Sequence, residues 1–204
     1  MSERDPRLQY WLAAVLGTPG LTAIRDPELA QRELLDDSLT AIELVRRFDG
    51  PLADVGSGGG APGIPLAAAF PEREVTLIES NARKCEFLER FTREFPNLRV
   101  VCGRAEEQPP DTFAVVVAKA LATPAVALEW CLPLVTQGGA AILFTGALDL
   151  DLSTVSSALG GGEPELHPVA YARERMLVLV PKLGPTPSGF PRRPGVAKKR
   201  PLAR

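Results

Sequence analysis

Between Asp54 and Gly63 the chain reads Asp-Val-Gly-Ser-Gly-Gly-Gly-Ala-Pro-Gly. Glycines in series let a main chain turn sharply and approach a ligand more closely than side chains would permit. A tight strand-to-helix turn needs only one of them, so the series points to a bound ligand. Asp54, two residues before the first glycine, puts a carboxylate where it can meet a positive amino group. Gly56, Ser57, Gly58, Gly60 and Ala61 also satisfy the G-x-G-x-x-A dinucleotide pattern, which makes a nicotinamide cofactor the competing reading. Glu79 stands at the end of a second apolar run, where a carboxylate accepts from both ribose hydroxyls of an adenosine. Glu106, in Gly103-Arg104-Ala105-Glu106-Glu107 after a third run, can meet an adenine amino group. Either acid alone also reads as a solvated loop residue. Together with the loop they suit adenosylmethionine better than a pyrophosphate, which favours a positive pocket. A dehydrogenase would also need a hydride-transfer partner, and the single histidine, His167, lies too far along and reads as a surface or packed residue.

The elements that must position these groups follow from periodicity. Residues 4 to 17 carry Leu8, Trp11, Leu12, Val15 and Leu16 at helical spacing. Asp26 before Pro27 caps a second helix, predicted to run to Phe48, where Gly50 and Pro51 stop it. The pattern then alternates. Strands are expected at Leu52 to Val55, Glu74 to Ile78, Leu98 to Cys102, Phe113 to Lys119 and Ala140 to Phe144. Helices are expected at Pro62 to Phe70, Asn81 to Phe95, Pro124 to Val135 and Leu150 to Leu159. Strands at Glu165 to Tyr171 and Met176 to Pro181 would close the sheet as an antiparallel pair. Such alternation predicts an α/β fold, a mostly parallel sheet with helices on both faces. The glycine loop falls at the carboxyl end of the first strand, where doubly wound sheets bind ligands.

The chain of 204 residues suffices for one such domain, read as a helical extension (1–50), a sheet domain (51–182) and a tail (183–204). No run of about 18 apolar residues appears, so no membrane span is expected. The start, Met1 to Asp5, is charged without an apolar signal core, which predicts a cytoplasmic protein. Cys85, Cys102 and Cys131 lie far apart without metal-ligand spacing and are expected to be buried, reduced thiols, with no metal site. From Lys182 on there are seven basic residues and no acidic one, so the net charge of −2 divides into +7 there and −9 before it. A basic, proline-rich tail on an acidic body suits a polyanion partner, and equally a tail that keeps the protein dissolved.

At these motifs the chain resembles one family, the bacterial small-subunit rRNA guanine-N7 methyltransferases, once called glucose-inhibited division protein B. DVGSGGGAPGIPL (Asp54 to Leu66), with its unusual Pro-Gly-x-Pro-Leu ending, carries most of the resemblance. ESNARKCEFLERF (Glu79 to Phe91), GRAEE (Gly103 to Glu107) and TPSGFPRRPGVAKKRPL (Thr186 to Leu202) add to it, as do LTAIRDPE (Leu21 to Glu28) and DDSL (Asp36 to Leu39). The resemblance implies a seven-stranded, Rossmann-like class I methyltransferase sheet and S-adenosylmethionine as donor. It implies N7 of a guanine in 16S rRNA of the small ribosomal subunit as acceptor. Cofactor contacts would fall on Gly56, Ala61, Glu79, Ser80, Asn81, Ala105, Glu106 and Lys119. The chain departs from the family where Lys119 replaces an arginine and Thr145-Gly146 a Lys-Gly pair. Glu33 and Leu34 likewise stand for a basic residue and a histidine, and Gly20 for an asparagine.

N7 of guanine carries a lone pair and no proton, so no general base is required, and no Ser/His/Asp, Cys/His or metal constellation is visible. Lys119 is expected to act at the catalytic centre by donating to guanine O6 or to a phosphate, leaving N7 free. Arg192, Arg193, Lys198, Lys199 and Arg200 are expected to meet RNA phosphates, on a protein acting as a monomer. Two other readings stay open: a catalytically weakened relative that binds the cofactor and RNA, and a methyltransferase for another substrate.

Overall fold

The computed structural model describes residues 5–146, 151–169 and 175–203. The expected reach of one helix back to Leu150 and of one strand on to Tyr171 lies outside them. Asp5 caps α1 (Pro6–Gly17) by accepting from Arg7 N at 2.9 Å. Asp26 does the same for α2 (Pro27–Ala30), accepting from Leu29 N at 2.7 Å. The single helix expected from there to Phe48 is instead broken. A π-helical turn, Gln31–Asp36, is followed by α3 (Asp37–Leu39), a turn at Thr40 and Ala41, and α4 (Ile42–Val45). Side-chain hydroxyls explain the breaks: Ser38 Oγ bonds Leu34 O and Thr40 Oγ1 bonds Asp37 O, each at 2.6 Å, competing with the regular ladder.

The sheet then builds as β1 (Leu52–Val55), α5 (Gly63–Ala69), β2 (Val75–Glu79), α6 (Ala82–Glu89), β3 (Leu98–Cys102) and β4 (Phe113–Lys119). It continues as α7 (Pro124–Cys131), β5 (Val135–Thr145), α8 (Ser153–Ala158), β6 (Glu165–Pro168) and β7 (Met176–Pro181), before a last short helix, α9 (Val196–Lys199). Strand order is β3-β2-β1-β4-β5-β7-β6, with β1 to β5 parallel and β7 antiparallel to both β5 and β6. Two helices are shorter than their periodicity predicts. Pro133 ends α7 in a 3-10 turn, and β5 begins five residues early, at Val135. The stretch after Glu89 tightens into turns, where Thr92 Oγ1 bonds Glu89 O at 2.9 Å, and Pro96 disfavours helix at Phe95.

Alternate strand residues feed two cores. Leu52, Val115 and Val117 join α1, α5 and the other N-terminal helices on one face. Ala53, Val116 and Ala118 join α7, α8 and Ala197 of the tail on the other. Order reverses between β1 and β4, so their carboxyl ends, Val55 and Lys119, flank the crevice expected to bind ligands. Among the described residues no helix is long and apolar enough to cross a membrane.

One expectation about the cysteines is corrected. Cys85 of α6 and Cys102 of β3 form a disulfide, with Cα atoms 5.7 Å apart, because α6 folds back onto the β2–β3 edge. Only Cys131 is free, buried, with its thiol pushed up by burial.

Lys182 is the other unexpected interior group. Its side chain is fully buried, and its ammonium donates to Leu132 O and Leu159 O at 3.0 Å and to Thr186 Oγ1 at 2.7 Å, with Asp111 at 3.7 Å. Burial lowers its pKa and Asp111 opposes the shift. Lys182→Met keeps the apolar stem and strands these acceptors. It should lower stability by about 3 kcal/mol, read as the shift in a urea unfolding midpoint followed by circular dichroism.

Candidate active site

Two carboxylates at adjacent strand ends hold the glycine loop in shape. Asp54, fully buried, accepts from Gly63 N at 3.0 Å, while Ser57 Oγ bonds Asp54 O at 2.8 Å. Glu79 accepts from Gly58 N at 2.9 Å on one oxygen and from Asn81 N at 2.8 Å on the other. The loop needs left-handed backbone at Gly56 (φ 73°) and Gly60 (φ 103°). A Cβ on Gly60 would come within 2.5 Å of Ile64 Cδ1, so a side chain there would add crowding to a backbone angle that already disfavours it. From the opposite side Trp11 of α1 donates its indole N–H to Gly59 O at 2.8 Å. The N-terminal helix is thus part of the loop's support.

Gly56 lies between two cavities. The first, about 110 Å³, is lined by Val55, Ile78, Ser80, Gly103 to Glu106, Leu121, Trp130 and Lys198. The second, about 220 Å³, is lined by Trp11, Leu21, Thr22, Leu34, Ser57 to Gly59, Ala61 and Lys119, among others. A Cβ on Gly56 would lie 2.3 Å from Leu121 Cδ1, so a side chain there would crowd the junction. One polar-rimmed chamber joined at a bare glycine to a second suits an adenosine with an extended sulfonium arm. The donor set fits S-adenosylmethionine, with hydroxyl and carboxylate groups (Ser80, Glu106) on the nucleoside side and main-chain groups of the loop on the other.

The expected site residues separate into three groups. Gly56, Ser80, Ala105 and Glu106 line the first chamber, and Gly56, Ser57, Gly58, Ala61 and Lys119 the second. Asp54, Gly60, Glu79 and Asn81 shape the loop from behind or beside it. Asp54 has no exposed surface, so its carboxylate meets the loop's own N–H rather than the crevice. The Asn81 side chain caps α6, accepting from Arg83 N at 3.1 Å and Lys84 N at 3.3 Å. Glu79 keeps a second lone pair on each oxygen and is 7% exposed.

Lys119, expected to donate at the catalytic centre, is already engaged within the protein. Its ammonium is paired with Asp37 at 2.5 Å and donates to Glu33 O, and its side chain is 10% exposed. Burial lowers its pKa, and the Asp37 carboxylate opposes the shift. The Glu33 side chain pairs in turn with Arg175 at the start of β7. Part of the tail is paired in the same way. Arg192 is locked in a two-pronged pair with Glu129 of α7, both contacts 2.5 Å, with Glu129 almost wholly buried. Lys198 lies over the Trp130 ring at 5.3 Å, while Arg193, Lys199 and Arg200 are exposed. Trp11 and Trp130 read in the sequence as core positions of their helices and carry no signal as lining residues, nor does Leu121 in the loop after β4, whereas Leu34 is marked by its departure from the family. Leu21 and Thr22 carried a signal in the LTAIRDPE match. Among the described residues no three His, Cys, Asp or Glu side chains come together to hold a metal.

Burial pushes the Asp54 carboxyl up to about 7 from its ordinary 3.8, outweighing the Gly63 N–H that favours its charge. Its contribution to stability is therefore full below pH 3.8 and lost as pH rises through about 7. Asp54→Asn removes this titration. Urea unfolding across that range should show wild type losing stability relative to the variant as pH rises, with a constant difference above it; a constant difference throughout would refute the buried ionisation.

The family model described as GidB, rRNA small subunit methyltransferase G, matches residues 8–156. The chain is 38% identical to the ribosomal RNA small subunit methyltransferase G of Carboxydothermus hydrogenoformans, over 95% of this chain and 85% of that one. It is 35% identical to the protein of the same name from Rubrobacter xylanophilus, over 95% and 78%. Its fold resembles a putative S-adenosylmethionine-dependent methyltransferase from Methanococcus maripaludis, with TM-score 0.57 and 15% identity over 76% of this chain and 89% of that one. A 16S rRNA (adenine(1408)-N(1))-methyltransferase from Catenulisporales acidiphilia is similar at TM-score 0.55 and 18% identity, over 72% and 92%.

Proposed function

The chain belongs to the rRNA small subunit methyltransferase G family, and on that premise we propose that it methylates N7 of a guanine in the 16S rRNA of the small ribosomal subunit. S-adenosylmethionine supplies an electrophilic methyl group, and its place is the pair of chambers meeting at Gly56. The observation that carries the reading is Lys119, a restrained ammonium on the wall of the second chamber, beyond the loop.

An ammonium has three N–H donors. Lys119 donates one to Glu33 O and is paired with Asp37 at 2.5 Å, which leaves donor capacity for the chamber it lines. That donor suits guanine O6, the atom beside N7. The usual two-pronged guanine grip, to O6 and N7 together, would block the reacting atom, and a single donor avoids it. Trp11, Leu21 and Leu34 make the chamber wall apolar, which would exclude water from a base held there. The Asp37 carboxylate favours the charged form of Lys119 and holds the ammonium in place, so the donor would need no reorganisation. Arg193, Lys199 and Arg200 face solvent and are assigned to RNA phosphates, with Arg192, paired with Glu129, and Lys198, lying over Trp130, withdrawn from that set. A ribosomal substrate supports the reading that it acts in the cytoplasm.

Incubation with methyl-labelled adenosylmethionine and unmodified 16S rRNA or small subunits, followed by mapping, should place the label on one guanine N7. Binding of the cofactor without transfer would instead favour the non-catalytic relative. Lys119→Ala should lower kcat/KM for this transfer by about 100-fold while changing adenosylhomocysteine affinity less than threefold. Neutralising Arg193, Lys199 and Arg200 together should flatten the salt dependence of RNA binding by about 2 log units per log unit of salt; an unchanged slope would exclude the tail from the RNA interface.

A further inference from the structure

The C-terminal segment is more than an arm for RNA. Its path is fixed by contacts with the body at four places. Arg192 is clamped on Glu129, a carboxylate 3% exposed on α7, and donates with the same guanidinium to Arg200 O at 2.9 Å. Ala197 is buried in the core beneath α7, with Phe190 and Leu202 packed against that core. Between these anchors, Gly195 N donates to Glu106 Oε1 at 3.2 Å, and Lys198 crosses the Trp130 ring and lines the first chamber.

We propose that Phe190 to Lys199 is an integral part of the adenosine-binding site, with the Gly195 main-chain N–H as the positioning group that aims Glu106 at the adenine amino group and Lys198 as the chamber's outer wall. The proposal rests on the reading that this chamber takes the cofactor's adenosine. The chemistry is direct. A glutamate on a short 3-10 turn, Ala105–Glu107, has several rotamers open to it, and an unaimed carboxylate discriminates poorly between bases. An N–H on Oε1 selects one rotamer and leaves Oε2 for a donor. The adenine amino group is a donor there, and the oxo group of a deaminated base would set acceptor against acceptor. Gly195 reaches this position with φ 82°, a left-handed turn with open space where a Cβ would be, so its glycine serves the backbone path rather than close packing. The clamp fixes the turn: with Arg192 on Glu129 and Ala197 in the core, Gly195 is held from both sides. Cofactor selectivity and tail docking are then linked, and a ligand that seats against Glu106 must stabilise the docked tail in return.

The test uses the full chain and calorimetry with adenosylhomocysteine and its deaminated analogue, S-inosylhomocysteine. Wild type should prefer the adenosyl compound by about tenfold or more, the scale of one charged hydrogen bond. Arg192→Met, which releases the clamp, should weaken adenosylhomocysteine about tenfold and bring the ratio between the two compounds close to one. Lys198→Met, which keeps the wall without its charge, should preserve the ratio and weaken both by about threefold. A released tail that left the ratio at its wild-type value would overturn the proposal. Should Arg192→Met fail to fold, hydrogen exchange on wild type decides. Adenosylhomocysteine should slow exchange of the amides from Gly195 to Lys199, and unchanged exchange there with protection of Gly56 to Gly60 would overturn it. No binding of either compound to wild type would overturn the chamber assignment itself, and this proposal with it.

Discussion

A loop that offers its main chain to a ligand has given up the side chains that would hold it in place. Asp54 and Glu79 supply what is missing, one from the end of β1 and one from the end of β2, each accepting loop N–H groups. Both strands are fixed by their parallel register, Val55 opposite Ile78, so the carboxylates arrive at a set spacing. Burial makes the arrangement costly for Asp54, whose charge is disfavoured, and the structure accepts that cost at the point where the loop turns into α5. Movement of either acid would release the bend at Gly56, and with it the junction between the two chambers.

The same economy of fixed charge recurs at the edges of the site. Lys119 is held by Asp37, Arg192 by Glu129, and Lys182 by main-chain carbonyls and Thr186. In each case a buried or half-buried ion joins a sheet-domain element to a segment outside the alternating strands and helices. Such pairs add little net stability against apolar packing, but an unpaired partner is heavily penalised, so they specify where a segment docks. The N-terminal helices and the tail reach the site on these terms, and both line it.

Much of this was legible in the sequence because the signals are local. Seven strands and the antiparallel closing pair follow from apolar runs, and the glycine loop and the acids at Glu79 and Glu106 from spacing along the chain. What stayed hidden depends on contacts between distant residues. Nothing near Lys119 announces Asp37, and nothing near Arg192 announces Glu129, so both cations read as free. The disulfide joins residues whose neighbours look like ordinary core. Trp11 and Trp130 look like core as well, and only the fold shows that the core they complete has a cavity on its other side. The helix expected from Pro27 to Phe48 failed for a local reason that periodicity does not weigh, since Ser38 and Thr40 can bond their own backbone.

That broken helix sets a rule of its own. In a regular α-helix each residue advances the next side chain by about 100° around the axis, so one additional residue in a turn rotates everything downstream by that amount. The wide turn Gln31–Asp36 is such an insertion, and Asp37 is the first residue beyond it. From that position its carboxylate pairs with Lys119. Losing a single residue along this stretch would swing the acid to another side of the helix. Between α2 and α3 the constraint is therefore one of counting as well as of composition.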